Sequence, residues 1–214
     1  MSNKRKTEMS ERQALLSQVK TEQKKAGRKR TVIIASVTSV LVVALIGTTI
    51  AVLADQRAKD ASVQALASKP IAGVEKFTGL ARDHVAGKVN YAQTPPTGGD
   101  HSVDLQNCGF YPEPVGAENA VHSLEHGAVW ITRDPNLPAA QLDILRALAK
   151  KNNYLLVSPR DGLSSPVVAS AWGIQLKLDS ADDARLPVFL RAYLNGPQTP
   201  EPGASCAGGV GTPE

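Results

Sequence analysis

The densest group of residues capable of chemistry is His122, Glu125 and His126, in the run His-Ser-Leu-Glu-His. In a helix, His122 and His126 would lie one turn apart on one face, with Glu125 beside His122. Side chains of these types at this spacing can share a divalent metal. The order H-x-x-E-H also occurs in one class of zinc peptidases. Those enzymes need a longer helix than Gly127 allows, so a metal-dependent hydrolase is the least favoured interpretation and no catalytic residue is predicted.

Two further histidines are candidate partners for this pair. His101 follows a Pro- and Gly-rich loop that can present its ring to the same helix face, which makes it the predicted third ligand. His84 is the candidate fourth ligand. Glu125 and Asp100 are predicted to accept a hydrogen bond from a ring N–H, as carboxylates commonly do behind metal-bound histidines. Glu125 is also able to bind the metal directly.

Three or four imidazoles suit zinc or copper in the divalent state, so these are the predicted cofactors. The alternative is a purely structural network in which the histidines hydrogen-bond loop carbonyls and Glu125. Both interpretations remain open at the level of the sequence.

Cys108 and Cys206 are the only cysteines of the chain. They lack the C-x-x-C spacing of redox or metal-binding thiols. An even pair on the outer side of a membrane most simply forms a disulfide. The sequence therefore predicts a bond between Cys108 and Cys206.

The elements that position these residues follow an N-terminal membrane anchor. Residues 1–30 carry ten Lys/Arg against three Glu, and residues 31–54 carry no charge. In a helix those residues span ~36 Å, enough to cross a ~30 Å hydrocarbon core. The pattern predicts a basic cytoplasmic tail over 1–30, a transmembrane helix over 31–54 and a helical stalk over 55–70.

The positive charge next to the span predicts a cytoplasmic N-terminus and an outer C-terminal domain over 71–214, in a single-pass cell-membrane protein. A cleaved signal peptide is the rival interpretation, but this apolar run is longer than a typical signal-peptide core. The lipid bilayer is thus a predicted partner, and a membrane-protein partner is a further candidate. Nucleic acid is not a predicted partner, because the remaining chain is slightly acidic.

The outer part is predicted to fold as an α+β domain, with a small mixed sheet, flanking helices and a loop-rich N-terminal half. The loop-rich half covers 71–117, where Gly and Pro are frequent. Helices are predicted over 118–126, from an opening at 134–138 to 151, and over 183–194. Strands are predicted over 128–132 and 154–157, and one or two more over 167–172 and 174–178.

Four motifs in this part are together similar to a known family. They are Tyr91-x-x-x-Pro-Pro-x-Gly-Gly-x-His101, Asn107-Cys-Gly-x-Tyr111, His122-Ser-Leu-Glu-His-Gly-Ala-Val-Trp-Ile131 and Gln198-Thr-Pro-Glu-Pro-Gly-x-x-Cys206. Over roughly residues 71–209 the chain resembles the membrane-anchored family called domain of unknown function 3105. The resemblance implies a single-span protein with an outer domain and brings no activity with it.

The residues therefore predict a single-pass membrane protein whose outer domain binds a ligand, and the predicted ligand is a divalent metal held by His101, His122 and His126. The alternative is a structural or assembly factor for a membrane complex, in which the same residues only hold loops together.

Overall fold

The computed structural model describes residues 2–214, except for the side chains of residues 2–7, Ser10, Gln13, Ala26, 29–37, Ser39 and Val40. The chain forms two compact units, one that ends at Lys59 and one that covers Asp60–Glu214. Helix α1, Ser2–Ala67, begins in the first unit and ends in the second.

One segment of α1 is long and apolar enough to cross a membrane. Among the described residues this segment is Leu41–Ala67, with 27 residues and a mean hydropathy of 1.5. The predicted span began at Thr31, but its first ten residues, apart from Thr38, have no described side chains, so that part of the prediction lies outside the described residues. The hydroxyls of Thr48 and Thr49 donate to the Leu45 carbonyl, which leaves no unpaired side-chain donor at these positions.

The second unit is built on a mixed sheet of six strands. The strands are β1 (Val74–Lys76), β2 (Gly109–Phe110), β3 (Val129–Arg133), β4 (Leu155–Pro159), β5 (Val167–Ala171) and β6 (Ile174–Leu178). Their order across the sheet is β1-β6-β5-β3-β4-β2. The β3–β4 and β4–β2 pairs are parallel, and the other three pairs are antiparallel.

Three helices follow α1 in this unit: α2 (Ala117–Glu125), α3 (Ala139–Lys151) and α4 (Arg185–Tyr193). Helix α3 connects the parallel strands β3 and β4, as a parallel pair requires. The predicted fold class, an α+β domain that follows one long apolar helix, is confirmed.

Side chains that alternate along β3 and β4 build two cores, one on each face of the sheet. Val129 and Ile131 point into the larger core, with side chains of α3 and α4. Trp130 and Leu156 point into the smaller core, where Leu124 of α2 packs against them. Both faces of these strands are therefore covered, which accounts for their nearly continuous apolar sequence.

Two short strands were not predicted, since β1 and β2 lie in the part of the chain expected to be loops. With three and two residues, neither shows an alternating pattern long enough to be read from sequence. The predicted strands and the three predicted helices are present, with ends that differ by a few residues. Of the one or two strands expected over 167–178, the structure forms two. Loops still make up most of 71–117, as expected.

The segment after α4 is tied back to the loop-rich half. Cys108 and Cys206 form a disulfide, which joins residues 98 positions apart in the sequence. A loop of this size corresponds to about 4–5 kcal/mol in the chain-entropy treatment of cross-links. Backbone bonds extend the connection, from Asn107 N–H to the Val210 carbonyl at 2.9 Å and from Glu214 N–H to the Phe110 carbonyl at 2.9 Å.

Candidate metal centre

Helix α2 supplies one side of the candidate site. His122 and Glu125 lie in its last turn, and His126 is its C-terminal cap residue, whose N–H donates to the His122 carbonyl at 3.2 Å. The helix ends there because Gly127 has a φ of +98°, a left-handed conformation that glycine adopts without strain. Leu124 on the opposite side is fully buried against the sheet, so packing fixes which way the histidines face.

Two loop segments supply the other side of the site. Residues 84 and 101 form an isolated parallel bridge, in which Val85 N–H donates to the His101 carbonyl at 2.8 Å and His101 N–H donates to the Asp83 carbonyl at 3.0 Å. The ring centroids of His84 and His101 are 5.0 Å apart. Both rings lie within 5 Å of the His122 ring, at 4.8 and 4.9 Å.

The loop that carries His101 is attached directly to α2. Ser102 N–H donates to the Glu118 carbonyl at 3.3 Å, and the Ser123 hydroxyl donates to the Gln106 carbonyl at 2.6 Å. The Glu118 carboxylate accepts the Val89 N–H at 3.1 Å. Helix and loop are thus joined on both sides of the histidines, which limits how far the rings can move apart.

Backbone carbonyls orient three of the four histidine rings. Each accepting oxygen lies 2.6–2.8 Å from an Nδ1 atom, in the pairs His101–Gly99, His122–Ser102 and His126–Ser205. A carbonyl can only accept, so Nδ1 carries the hydrogen in each ring. When these rings are neutral, each Nε2 presents a lone pair. Neutral imidazole is the form in which histidine binds metals.

The Nε2 atoms are turned toward other acceptors rather than toward donors. His122 Nε2 lies 3.0 Å from His126 Nε2. His101 Nε2 lies 3.0 Å from an Oε2 of Glu125, a distance typical of an ion pair. The approach does not have hydrogen-bond geometry, however, and this fully buried nitrogen makes no hydrogen bond to the described residues. Acceptors that face one another at this distance repel unless a proton or a cation lies between them.

Four residues bring potential ligand atoms close together: His84, His101, His122 and Glu125. Each offers one such atom, and these four atoms all lie within 4.8 Å of one another. Bonds of ~2.0–2.2 Å place the ligand atoms of a tetrahedral zinc site roughly 3.3 Å apart. Closing on an ion therefore requires inward shifts of about one ångström. His84 is exposed and the other three residues are buried, so rotation of the His84 ring is the least restricted of these shifts.

The His122 ring is held in its neutral form. Burial lowers its pKa to about 4, with smaller contributions from the neighbouring His126, His101 and His84, although the bond to the Ser102 carbonyl acts in the opposite direction. An imidazole with this pKa does not compete with protons for its lone pair at neutral pH.

The structure places the predicted site residues differently in three respects. His84 lies within the group of four, while His126 adjoins only its His122 member. Helical spacing predicted Glu125 beside His122; its carboxylate lies 3.0 Å from the His101 ring nitrogen and within 4.8 Å of a ring nitrogen of His122. Asp100 does not orient a ring: its carboxylate accepts the Asp83 N–H at 3.1 Å. Backbone carbonyls do the orienting instead, and no side-chain pattern in a sequence reveals them.

Glu201 was not singled out by its chemistry in the sequence. Its Oε2 lies 3.5 Å from His126 Nε2, and its N–H donates to the Glu125 carbonyl at 3.1 Å. It lies in the Gln198–Cys206 motif, which is the only sequence signal that could have indicated it. The segment anchored by the disulfide therefore reaches the edge of the histidine cluster.

A family model described as a protein of unknown function (DUF3105) matches residues 84–208 of the chain. The match begins at the first histidine of the cluster and extends just past Cys206. No curated protein matches the chain, and no solved structure does.

Proposed function

The chain belongs to the DUF3105 family of proteins of unknown function, and we propose that its second unit is an extracytoplasmic domain that binds a divalent metal ion. The ligands are His84, His101, His122 and Glu125. The observation that carries this proposal is the buried Nε2 of His101, which faces the Glu125 carboxylate and makes no hydrogen bond within the described part of the chain.

The set of donor atoms indicates which metals fit. Imidazole nitrogens together with one carboxylate suit Zn²⁺ and Cu²⁺, and the group contains no thiolate or thioether. The carbonyls behind His101 and His122 fix the ring orientation, as the partners of metal-bound histidines commonly do. The negative charge of Glu125 would balance part of the charge of the ion in a buried site.

The proposed location rests on charge and on the cysteines. The basic residues before the apolar segment favour a cytoplasmic N-terminus. The second unit then lies outside, where a disulfide such as Cys108–Cys206 persists. In this arrangement the protein is a single-pass membrane protein, the bilayer is its first partner, and the site faces the outer compartment.

Metal binding is tested on the full-length protein in detergent, stripped with a chelator and titrated with Zn²⁺ and, separately, Cu²⁺. We expect one ion per chain. His101→Asn keeps a side-chain N–H where Nδ1 lies, so it can still donate to the Gly99 carbonyl, but it removes Nε2. We expect this variant to lose binding by at least about a hundredfold, the scale of one metal-ligand contact.

A matched pair of substitutions on α2 separates binding from folding. Glu125→Gln removes the charge in the site, and Glu118→Gln removes a similarly buried charge about two turns away along the same helix. Only Glu125→Gln should weaken zinc binding. Equal affinity in both variants, or a wild-type protein that takes up neither ion at micromolar concentration, would contradict the proposal.

One observation favours a second function, that of a structural or assembly factor. The three Nδ1 hydrogen bonds attach α2 and the His101 loop to the backbone at Gly99, Ser102 and Ser205. A histidine network that only joins loops would stabilise the fold without any ion. In that case the melting temperature would not respond to Zn²⁺, and His101→Asn would lower it to the same extent with and without the metal.

A further inference from the structure

His126 and Glu201 form a second pair of ligand atoms beside the group of four. The Nε2 of His126 carries a lone pair, because its Nδ1 hydrogen is donated to the Ser205 carbonyl. The Oε2 of Glu201 lies 3.5 Å from this nitrogen. Neither residue belongs to the inner group, so the pair, here called the outer pair, is a separate feature of the cluster.

His122 is common to both sets of ligands. Its Nε2 lies 3.0 Å from His126 Nε2, and its ring lies 4.9 Å from the His101 ring on the inner side. A neutral imidazole has one lone pair to give, so this nitrogen can bind an ion at the inner or the outer position but not both at once. An ion at one position therefore excludes an ion at the other. This is expected if a single ion occupies the two positions one after the other.

Exposure decreases step by step along this line of ligands. The side chain of Glu201 is 53% exposed and that of His126 is 12% exposed. His122 is 6% exposed as a residue, and the side chain of His101 is fully buried beside Glu125. A hydrated cation attracted by the Glu201 carboxylate can thus exchange its waters for protein ligands one at a time, which avoids full dehydration in a single step.

We infer that the outer pair is the port through which the metal ion enters and leaves the inner site, with His122 passing it between the two positions. This inference rests on the proposed metal-binding function. The transfer is a ligand exchange at constant oxidation state: the His126 and Glu201 bonds to the ion break as those of His101 and Glu125 form. His126 and Glu201 are therefore transit ligands, and the resting ion occupies the inner site.

The test is the rate of Zn²⁺ uptake and release by the full-length protein in detergent, followed with a fluorescent zinc chelator. His126→Asn keeps an N–H donor for the Ser205 carbonyl and removes the transit nitrogen. Glu201→Gln removes only the charge of an exposed side chain. Glu214→Gln is the matched control, since Glu214 is another carboxylate of the C-terminal segment, paired with Arg146 and outside the cluster.

Both port variants should bind one ion per chain with a dissociation constant within a few-fold of the wild type. Their association and dissociation rates should both be lower by about tenfold, the signature of a raised barrier between unchanged end states. Uptake by the wild type should slow with added salt, and Glu201→Gln should lose most of that dependence. Glu214→Gln should match the wild type throughout.

Three outcomes would overturn the inference. Unchanged rates in both port variants would mean that the ion arrives from another side, such as the exposed His84. A large loss of equilibrium affinity in His126→Asn would make His126 a ligand of the resting ion, and two ions per wild-type chain would show that the positions do not exclude each other. These results leave the proposed metal binding intact, whereas a wild type that takes up no Zn²⁺ overturns both.

Discussion

At the scale of single residues, the site depends on hydrogen bonds that fix ring tautomers. When a histidine donates its Nδ1 hydrogen to a carbonyl, only its Nε2 can offer a lone pair to a metal. His101 and His122 are in this state, so their lone pairs are oriented before any ion arrives. Such orientation lowers the entropy cost of binding, because these two rings need no change of tautomer to present a lone pair.

Gly127 is the residue at which backbone conformation matters most to the site. Its φ of +98° is unfavourable for other residues, and a Cβ placed there would lie 2.5 Å from the Asn195 Oδ1. Gly162 has a similar φ of +72° with open space around it. We expect Gly162→Ala to cost about 1 kcal/mol, from backbone strain alone, and Gly127→Ala at least about twice as much.

This prediction is checked by comparing the guanidinium unfolding midpoints of the two variants with that of the wild type. Equal losses would mean that the Asn195 side chain moves aside at no cost. Gly127→Ala should also weaken zinc binding, because it displaces the end of α2, and Gly162→Ala should not.

At the scale of elements, α2 is the part that couples the core to the site. Leu124 is fully buried against β3 and β4, and Leu145 of α3 is equally buried in the core on the other face. Truncating either side chain to alanine should lower the free energy of unfolding by about 2–5 kcal/mol. Only Leu124→Ala should weaken zinc binding as well, since α3 carries no residue of the cluster.

Denaturant unfolding of the metal-free proteins gives the free energy of unfolding, and zinc titration of the folded proteins gives the zinc affinity. If both variants lost zinc affinity in proportion to their stability, the site would depend on global stability and not on the position of α2.

The elements differ in how much of their placement the sequence discloses. Strands β3 and β4 and helix α3 were predictable, because their apolar residues repeat over whole elements. The bridge between His84 and His101 was not, since it is a single pairing of two loop residues with no periodic pattern around it. Helical spacing correctly brought His122 and His126 together, yet it could not show which loop would face Glu125.

At the scale of the whole molecule, the distribution of charge sets the expected topology. Protease added to sealed, right-side-out membranes should digest the chain after Ala54 and leave the Lys/Arg-rich residues 1–30 intact, because the bilayer shields the cytoplasmic side. Immunoblotting with a tag at each end reports which part survives. Survival of the C-terminal tag and loss of the N-terminal tag would show the opposite topology. A mature protein that begins at Asp55 would indicate a cleaved signal peptide.

The attachment of the C-terminal segment to the histidine cluster also sets the order of events in biosynthesis. A ribosome completes His84 and His101 well before it reaches Ser205, whose carbonyl orients His126, and Cys206, which secures that segment to Cys108. While the chain is still being made, the histidines exist without the residues that complete their surroundings. In the proposed topology the outer pair is therefore completed only after Ser205 and Cys206 have crossed the membrane, and an ion that enters through it would come from the compartment in which the disulfide forms.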